Sequence, residues 1–106
     1  MELEQLRQIV AISEEGSISA AAKRLGISQS ALSRSVSRLE DDLHQQLFIR
    51  ERGGVRLNDT GEVAVRHARS VLREAQLLRD AVDEQAKRLR TLRARPVVVS
   101  LPAADA

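Results

Sequence analysis

The chain has no cysteine, tryptophan or tyrosine, and Phe48 is its only aromatic residue. Disulfides and thiol chemistry are thereby excluded, and a reducing compartment suits the sequence. Proline is absent before Pro96, so nothing of that kind breaks a helix earlier in the chain. No apolar run approaches the ~20 residues of a membrane span, and the amino terminus lacks the basic and apolar order of a leader. A cytoplasmic location is expected. The two histidines, His44 and His67, are too far apart in sequence to suggest a metal pair, and no glycine-rich phosphate loop is present. No catalytic, cofactor-binding or metal-binding residue is therefore expected, and an enzyme is a poor reading.

The net charge of +2 over 106 residues says little by itself. Its distribution says more: Gly16 to Leu39 holds Lys23, Arg24, Arg34 and Arg38 with no acid, while acids gather at Glu2, Glu4, Glu14, Glu15 and at Glu40, Asp41, Asp42. A positive surface with negative flanks is expected.

Leu3, Leu6, Ile9 and Val10 recur at helical spacing, which predicts a first helix over Glu2 to Glu15, closed by Gly16. Ser17 or Ser19 can cap a short second helix, whose Ala20, Ala21 and Ala22 permit close packing and which Gly26 ends. Ile27 is expected to pin the following turn to the core. Ser28 then caps a third helix from Gln29 to about Leu43. In it Leu32, Val36, Leu39 and Leu43 share the core side, and the opposite arc holds Ser30, Arg34, Ser37, Arg38 and Asp41. Small hydroxyls beside guanidinium groups suit a surface that enters a groove, because nothing bulky blocks approach. An ordinary solvated helix face fits that arc equally well.

Leu47 to Arg50 and Val55 to Leu57 are β-prone runs separated by Glu51-Arg52-Gly53-Gly54, a hairpin signal. With Arg50, Arg52 and Arg56 it reads as a basic wing for phosphates or a narrow minor groove, or as a solubilising edge hairpin. From Asn58, a helix cap, a helical pattern runs to about Arg93, roughly 50 Å long. Ala64, Ala68, Val71, Ala75, Leu78, Val82, Gln85, Leu89 and Leu92 alternate steps of four and three, a pairing seam with one polar position. The alternative, packing of the whole helix on its own domain, accounts poorly for that length. Lys87, Arg88, Arg90, Arg93 and Arg95 form a basic tract with no assigned role. Val97 to Val99 is a strand-like run without a partner strand.

Leu3-x-x-Leu6, Glu15-Gly16-Ser17-Ile18-Ser19-Ala20-Ala21-Ala22, Leu25, Ser28-Gln29-Ser30-Ala31-Leu32-Ser33-Arg34, Leu39-Glu40, Leu43, Leu47-Phe48, Arg50 and Thr60-Gly61 together resemble the amino-terminal domain of LysR-type transcriptional regulators. The resemblance spans nearly the whole chain. It implies a mainly α fold: a winged helix-turn-helix over 1–58, with three helices and a two-stranded β wing, then a long linker and dimerisation helix over 59–95. Residues 96–106 would be a hinge and the start of an effector-binding domain, most of it absent here, that would hold any small-molecule effector.

The resemblance further implies a transcription regulator that binds double-stranded DNA as a homodimer on imperfect palindromes. Gln29, Ser30, Ser33 and Arg34 match positions that read base edges, Arg50, Arg52 and Gly53 match the wing, and Ser17 and Ser19 lie where helix two touches phosphate. Ser28, Ser37 and Arg38 complete the expected DNA-binding set. The dimerisation stretch runs from Val65 to Leu92 and takes in Leu72 beside the seam. Departures stand out too. Ser30 replaces the usual proline, Ile9 and Ile18 stand where aromatics are frequent, and His44 replaces the glycine that ends helix three. A histidine at a positive-φ site costs more than glycine.

A reading from another class is a protein-interaction module, in which the long helix recruits a partner and the winged part is scaffold. Salt dependence separates the two, since contacts to phosphates weaken steeply with salt and apolar helix pairing does not.

Overall fold

Glu2 and Gln5 open the chain as a reciprocal capping box, with the Gln5 Oε1 accepting from the Glu2 N–H at 2.8 Å. In the computed structural model, which describes residues 1–94, helix α1 therefore spans Leu3–Glu15, with Glu2 as its cap instead of its first residue. Gly16 ends it at φ 70°, donating to the Ile12 carbonyl. Ser17, not Ser19, caps α2 (Ile18–Leu25), accepting from the Ala20 N–H at 3.1 Å. Gly26 ends that helix at φ 72°.

Ser28 caps α3 (Gln29–Leu43) through the Ala31 N–H at 3.1 Å, and the helix stops at His44, φ 56°. His44 is the only non-glycine residue with positive φ among those described. Its N–H and that of Gln45 close back on the carbonyls of Asp41 and Glu40, a left-handed closure usually given to glycine.

Strands β1 (Phe48–Glu51) and β2 (Gly54–Leu57) pair antiparallel, from Phe48 with Leu57 to Glu51 with Gly54. The hairpin is tighter than expected: Glu51 and Gly54 join the ladder, the turn is Arg52-Gly53 alone, and Leu47 leaves the strand for the core. Asn58 caps α4 (Asp59–Ala94), its Oδ1 accepting from the Gly61 N–H at 2.7 Å. Arg95, Val97 to Val99 and the proposed hinge lie outside the described residues.

Packing divides the chain into one unit over Met1–Arg73 and another that begins at Glu74. The core of the first joins Leu6, Ile9 and Ile12 of α1, Ala21 and Ala22 of α2, Leu32, Val36 and Leu39 of α3, and Leu47. Each of the fully buried Ile9, Ile12, Leu32, Leu39 and Leu47 contributes about 1.5–3 kcal/mol by leaving water. Val65 and Ala68 of α4 belong to this core at 3% and 2% exposure. Both were expected in the pairing seam, but their burial is already complete within their own unit.

Two expected core residues lie outside it. Leu43 is 40% exposed and Ile27 37% exposed. The core ends at Leu39, one turn before Leu43. The turn after α2 is held by backbone instead of a side chain, with the Ile27 N–H on the Ala22 carbonyl at 3.1 Å. In the second unit Leu77, Leu78, Val82, Leu89 and Leu92 are all exposed.

Candidate nucleic-acid interface

Ser28, by capping α3, leaves the first turn of that helix at the surface with Gln29, Ser30, Arg34, Ser37 and Arg38 exposed and Ser33 half-buried. The hydroxyls of Ser28 and Ser30 share a hydrogen bond at 3.3 Å. No acid interrupts this surface between Ser28 and Leu39. Among the described residues neither Arg34 nor Arg38 forms an ion pair, so both guanidinium forks are free. The free amides of the helix start add partial positive charge at the same end.

What holds that surface in place is polar and was not anticipated. Gln5 and Gln8 of α1 are buried. The Ser35 hydroxyl donates to the Gln8 Oε1, and the Gln5 Nε2 donates to the Ser35 carbonyl at 3.2 Å. Ser35 thus ties α3 to α1 at the flank of the core face, between the buried leucines and the free arginines. A serine among four others in α3 and its cap carries no mark of this in the sequence. The usable signal was Gln5 and Gln8 falling on the same stripe of α1 as Ile9 and Ile12.

The wing is anchored at three points. The Val55 N–H donates to the Gly16 carbonyl at 3.1 Å, and a Cβ on Gly54 would meet that same oxygen at 2.3 Å, so only glycine fits there. The Leu47 N–H donates to the Glu40 carboxylate at 2.8 Å, which fixes the loop from α3 into β1. The Asn58 N–H and Nδ2 donate to the carbonyls of Leu47 and Gln46. Gly61 is required beside it, because a Cβ there would lie 2.1 Å from the Leu47 carbonyl oxygen.

This anchoring leaves a cleft of about 510 Å³ between α3 and the wing, where Ser33 and Ser37 face Arg50. Arg52 and Gly53 form the exposed wing tip, Gly53 at φ 95°. Arg56 is less free than the sequence suggested, since its Nε donates to Glu51 at 2.7 Å. Arg24, counted toward the positive surface, is likewise engaged, with Glu14 at 2.9 Å and Glu15 at 3.1 Å. Glu14 also holds Arg69 at 3.0 Å. The Arg24 hydrogen bond, helped by Arg69, keeps the Glu14 carboxyl below its ordinary range against some desolvation, and Glu14 in turn raises Arg24.

Of the remaining expected contacts, Ser19 is exposed and Ser17 half-buried in its capping bond. In the expected seam, Val71, Leu78, Val82, Gln85, Leu89 and Leu92 are exposed, and Leu72 and Ala75 half-buried. No helix among the described residues is long and apolar enough to cross a membrane.

Residues 3–62 match the model of a family described as bacterial regulatory helix-turn-helix protein, lysR family. The nitrogen assimilation regulatory protein nac of Klebsiella aerogenes is 39% identical over 90 residues, which is 85% of this chain and 30% of that protein. The crystal structure of the CbnR DBD–DNA complex is similar at TM-score 0.78 and 36% identity, covering 81% of this chain and 99% of that one. The BenM DBD bound to benA site 1 DNA gives TM-score 0.78 at 34% identity, covering 81% of this chain and 97% of that one. The chain spans about 30% of the length of curated relatives such as nac.

Proposed function

This chain belongs to the LysR family of bacterial regulatory helix-turn-helix proteins, and we propose that it is the part of a transcription regulator that reads an operator as a homodimer. The observation that carries the reading is the free face of α3: Ser30, Arg34, Ser37 and Arg38 exposed and, for the arginines, unpaired among the described residues, on a helix whose other side is buried. Relatives named transcriptional regulators and solved DNA complexes of similar domains support it.

In this reading α3 lies in the major groove. Gln29, Ser30, Ser33 and Arg34, nearest its start, meet base edges, where an arginine fork pairs with guanine. Ser37, Arg38 and the wing residues Arg50 and Arg52 hold the flanking backbone or minor groove, and Ser17, Ser19 and Ser28 lie along phosphates. Phosphate contacts supply affinity and α3 supplies the choice of sequence.

The dimer forms through α4. Leu78, Val82, Leu89 and Leu92 are 42–63% exposed and recur at seam spacing, so covering them with a second copy gains up to about 1.5–3 kcal/mol each. Val65 and Ala68 are excluded from that seam by their burial. The chain performs no catalysis and needs no cofactor. A small-molecule effector acts through a part of the protein outside these residues, in the cytoplasm with the DNA.

Selection of bound sequences from random duplex DNA tests this. Two inverted half-sites about 10 bp apart centre to centre, or a multiple of that, are expected for a two-fold dimer. Enrichment of no motif overturns the reading, and a single half-site overturns the dimer.

A further inference from the structure

Helix α4 has a side that neither the core nor the pairing seam uses. At about 100° per residue, Gly61, Val65 and Ala68 fall on the side buried in the core, and Ala64 and Val71 on the side assigned to the seam. Arg66 and Arg73 lie on another strip, roughly 160° around the helix from Ala64 and Val71. From Val63 to Arg73 there is no acid. The strip borders an open cleft of about 560 Å³ that reaches Ser13 on α1 and Leu57 at the root of the wing, with Ser70 beside the arginines and Glu62 the one acid in its lining.

Arg69, also in that lining, is already held by Glu14. Arg66 and Arg73 form no ion pair among the described residues, and Arg73 makes only a long 3.4 Å hydrogen bond to the Ser70 hydroxyl. The Ser13 and Ser70 hydroxyls donate to the carbonyls of Val10 and Arg66, so the two guanidinium groups of Arg66 and Arg73 are what this site offers to anions spaced along a chain.

We propose that this cleft binds backbone phosphates of DNA that continues past the half-site on the wing's side, extending the footprint beyond α3 and the wing tip. The inference rests on the DNA-binding reading above. Three features favour nucleic acid over an acidic protein surface. Protein interfaces centre on aromatic or aliphatic anchors, whereas this lining is mostly arginine and serine, has no aromatic residue, and its two aliphatic residues are buried (Val65) or half-buried (Leu57). Arg66 and Arg73 are about 10 Å apart along the helix, near the axial rise of three nucleotides of one strand. The strip faces away from the seam, so pairing of two copies leaves it open.

The test compares two operator duplexes, one ending at the outer edges of the half-sites and one longer by about a helical turn, ~10 bp, at each end. The wild-type chain is expected to bind the longer duplex about tenfold more tightly, with a steeper salt dependence. The R66A/R73A variant is expected to bind both alike, with the wild-type affinity for the short one, and R66K/R73K to keep most of the gain. No gain with length in the wild type overturns the proposal, as does a gain that persists in R66A/R73A or equal weakening of that variant on both duplexes. Binding of a polyglutamate peptide that depends on Arg66 and Arg73, without a gain on longer DNA, assigns the strip to a protein partner and overturns it as well. Failure of the wild type to bind the short duplex would instead defeat the DNA-binding reading itself.

Discussion

The Ser35 hydroxyl donates to the side-chain oxygen of Gln8, joining two residues 27 positions apart across the α1–α3 contact. Gln8 is 6% exposed and Ser35 half-buried, so water replaces the donor poorly. Ser35→Ala should therefore cost about 1–3 kcal/mol, the penalty for a buried acceptor left without a partner. Chemical denaturation measures it. Adding Gln8→Leu in the same chain should recover part of the loss, because both polar partners are then gone. A change within ~0.5 kcal/mol for Ser35→Ala, the range of an ordinary surface substitution, refutes the role given to this bond.

That bond also marks the limit of what the sequence discloses. Helix α3 was legible end to end, since Ser28 and the spacing of Leu32, Val36 and Leu39 are local features read by period alone. Its serines were not separable, because whether Ser35 faces solvent or Gln8 depends on where α1 lies. Leu43 and Ile27 failed for a related reason: periodicity tells which side a residue takes, not how far the neighbouring core extends. Arg24 and Arg56 counted as free charge until folding brought Glu14 and Glu51 to them. Gly54 and Gly61 reveal their purpose only through the carbonyls of Gly16 and Leu47 that crowd them. The long helix was legible, but its division between the core and the exposed seam was not, and so Val65 and Ala68 were misassigned.

Arg34 is exposed and has no ionic partner among the described residues, so its removal should leave folding intact. On the operator, Arg34→Ala is expected to cost ~1–3 kcal/mol and to relax specificity at one base pair of each half-site. Fluorescence anisotropy on operator and random duplexes distinguishes the outcomes. Equal weakening on both would reduce Arg34 to a phosphate contact.

Leu78 is 63% exposed in the second unit, a poor place for a large aliphatic side chain unless another copy covers it. Leu78→Asp puts two carboxylates into the proposed seam of a dimer. Sedimentation should then report a monomer, with thermal unfolding of the winged unit little changed and operator affinity greatly reduced. A dimer that survives the substitution moves the seam elsewhere.

His44 closes α3 at φ 56°, where a side chain costs roughly 1–2 kcal/mol relative to glycine. Glycine gives back part of that advantage as added freedom of the unfolded chain. His44→Gly should therefore stabilise the protein by about 0.5–1 kcal/mol and raise Tm by a few degrees, about 4–8 °C per kcal/mol for a unit of this size. His44→Ala keeps the strained backbone and should give no such gain. If the two variants melt together, the left-handed closure carries no cost.

Glu14 sits between Arg24 and Arg69, and the hydrogen bond from Arg24 above all holds its carboxyl below the ordinary value of 4.5. In the folded protein it stays ionised at acidities where the unfolded chain has taken up a proton. Its contribution to stability is therefore present above pH 4.5 and is lost as the pH falls through the lower folded value. The pair is exposed and the effect correspondingly small. Thermal melts of the wild type and Glu14→Gln should differ at pH 7 and converge as the pH falls below 4.5 and through the lower folded value. High salt should shrink the gap at pH 7, since exposed ion pairs are screened. A gap that is independent of both pH and salt would mean that Glu14 acts through packing alone and that the charges of Arg24 and Arg69 do nothing for the fold.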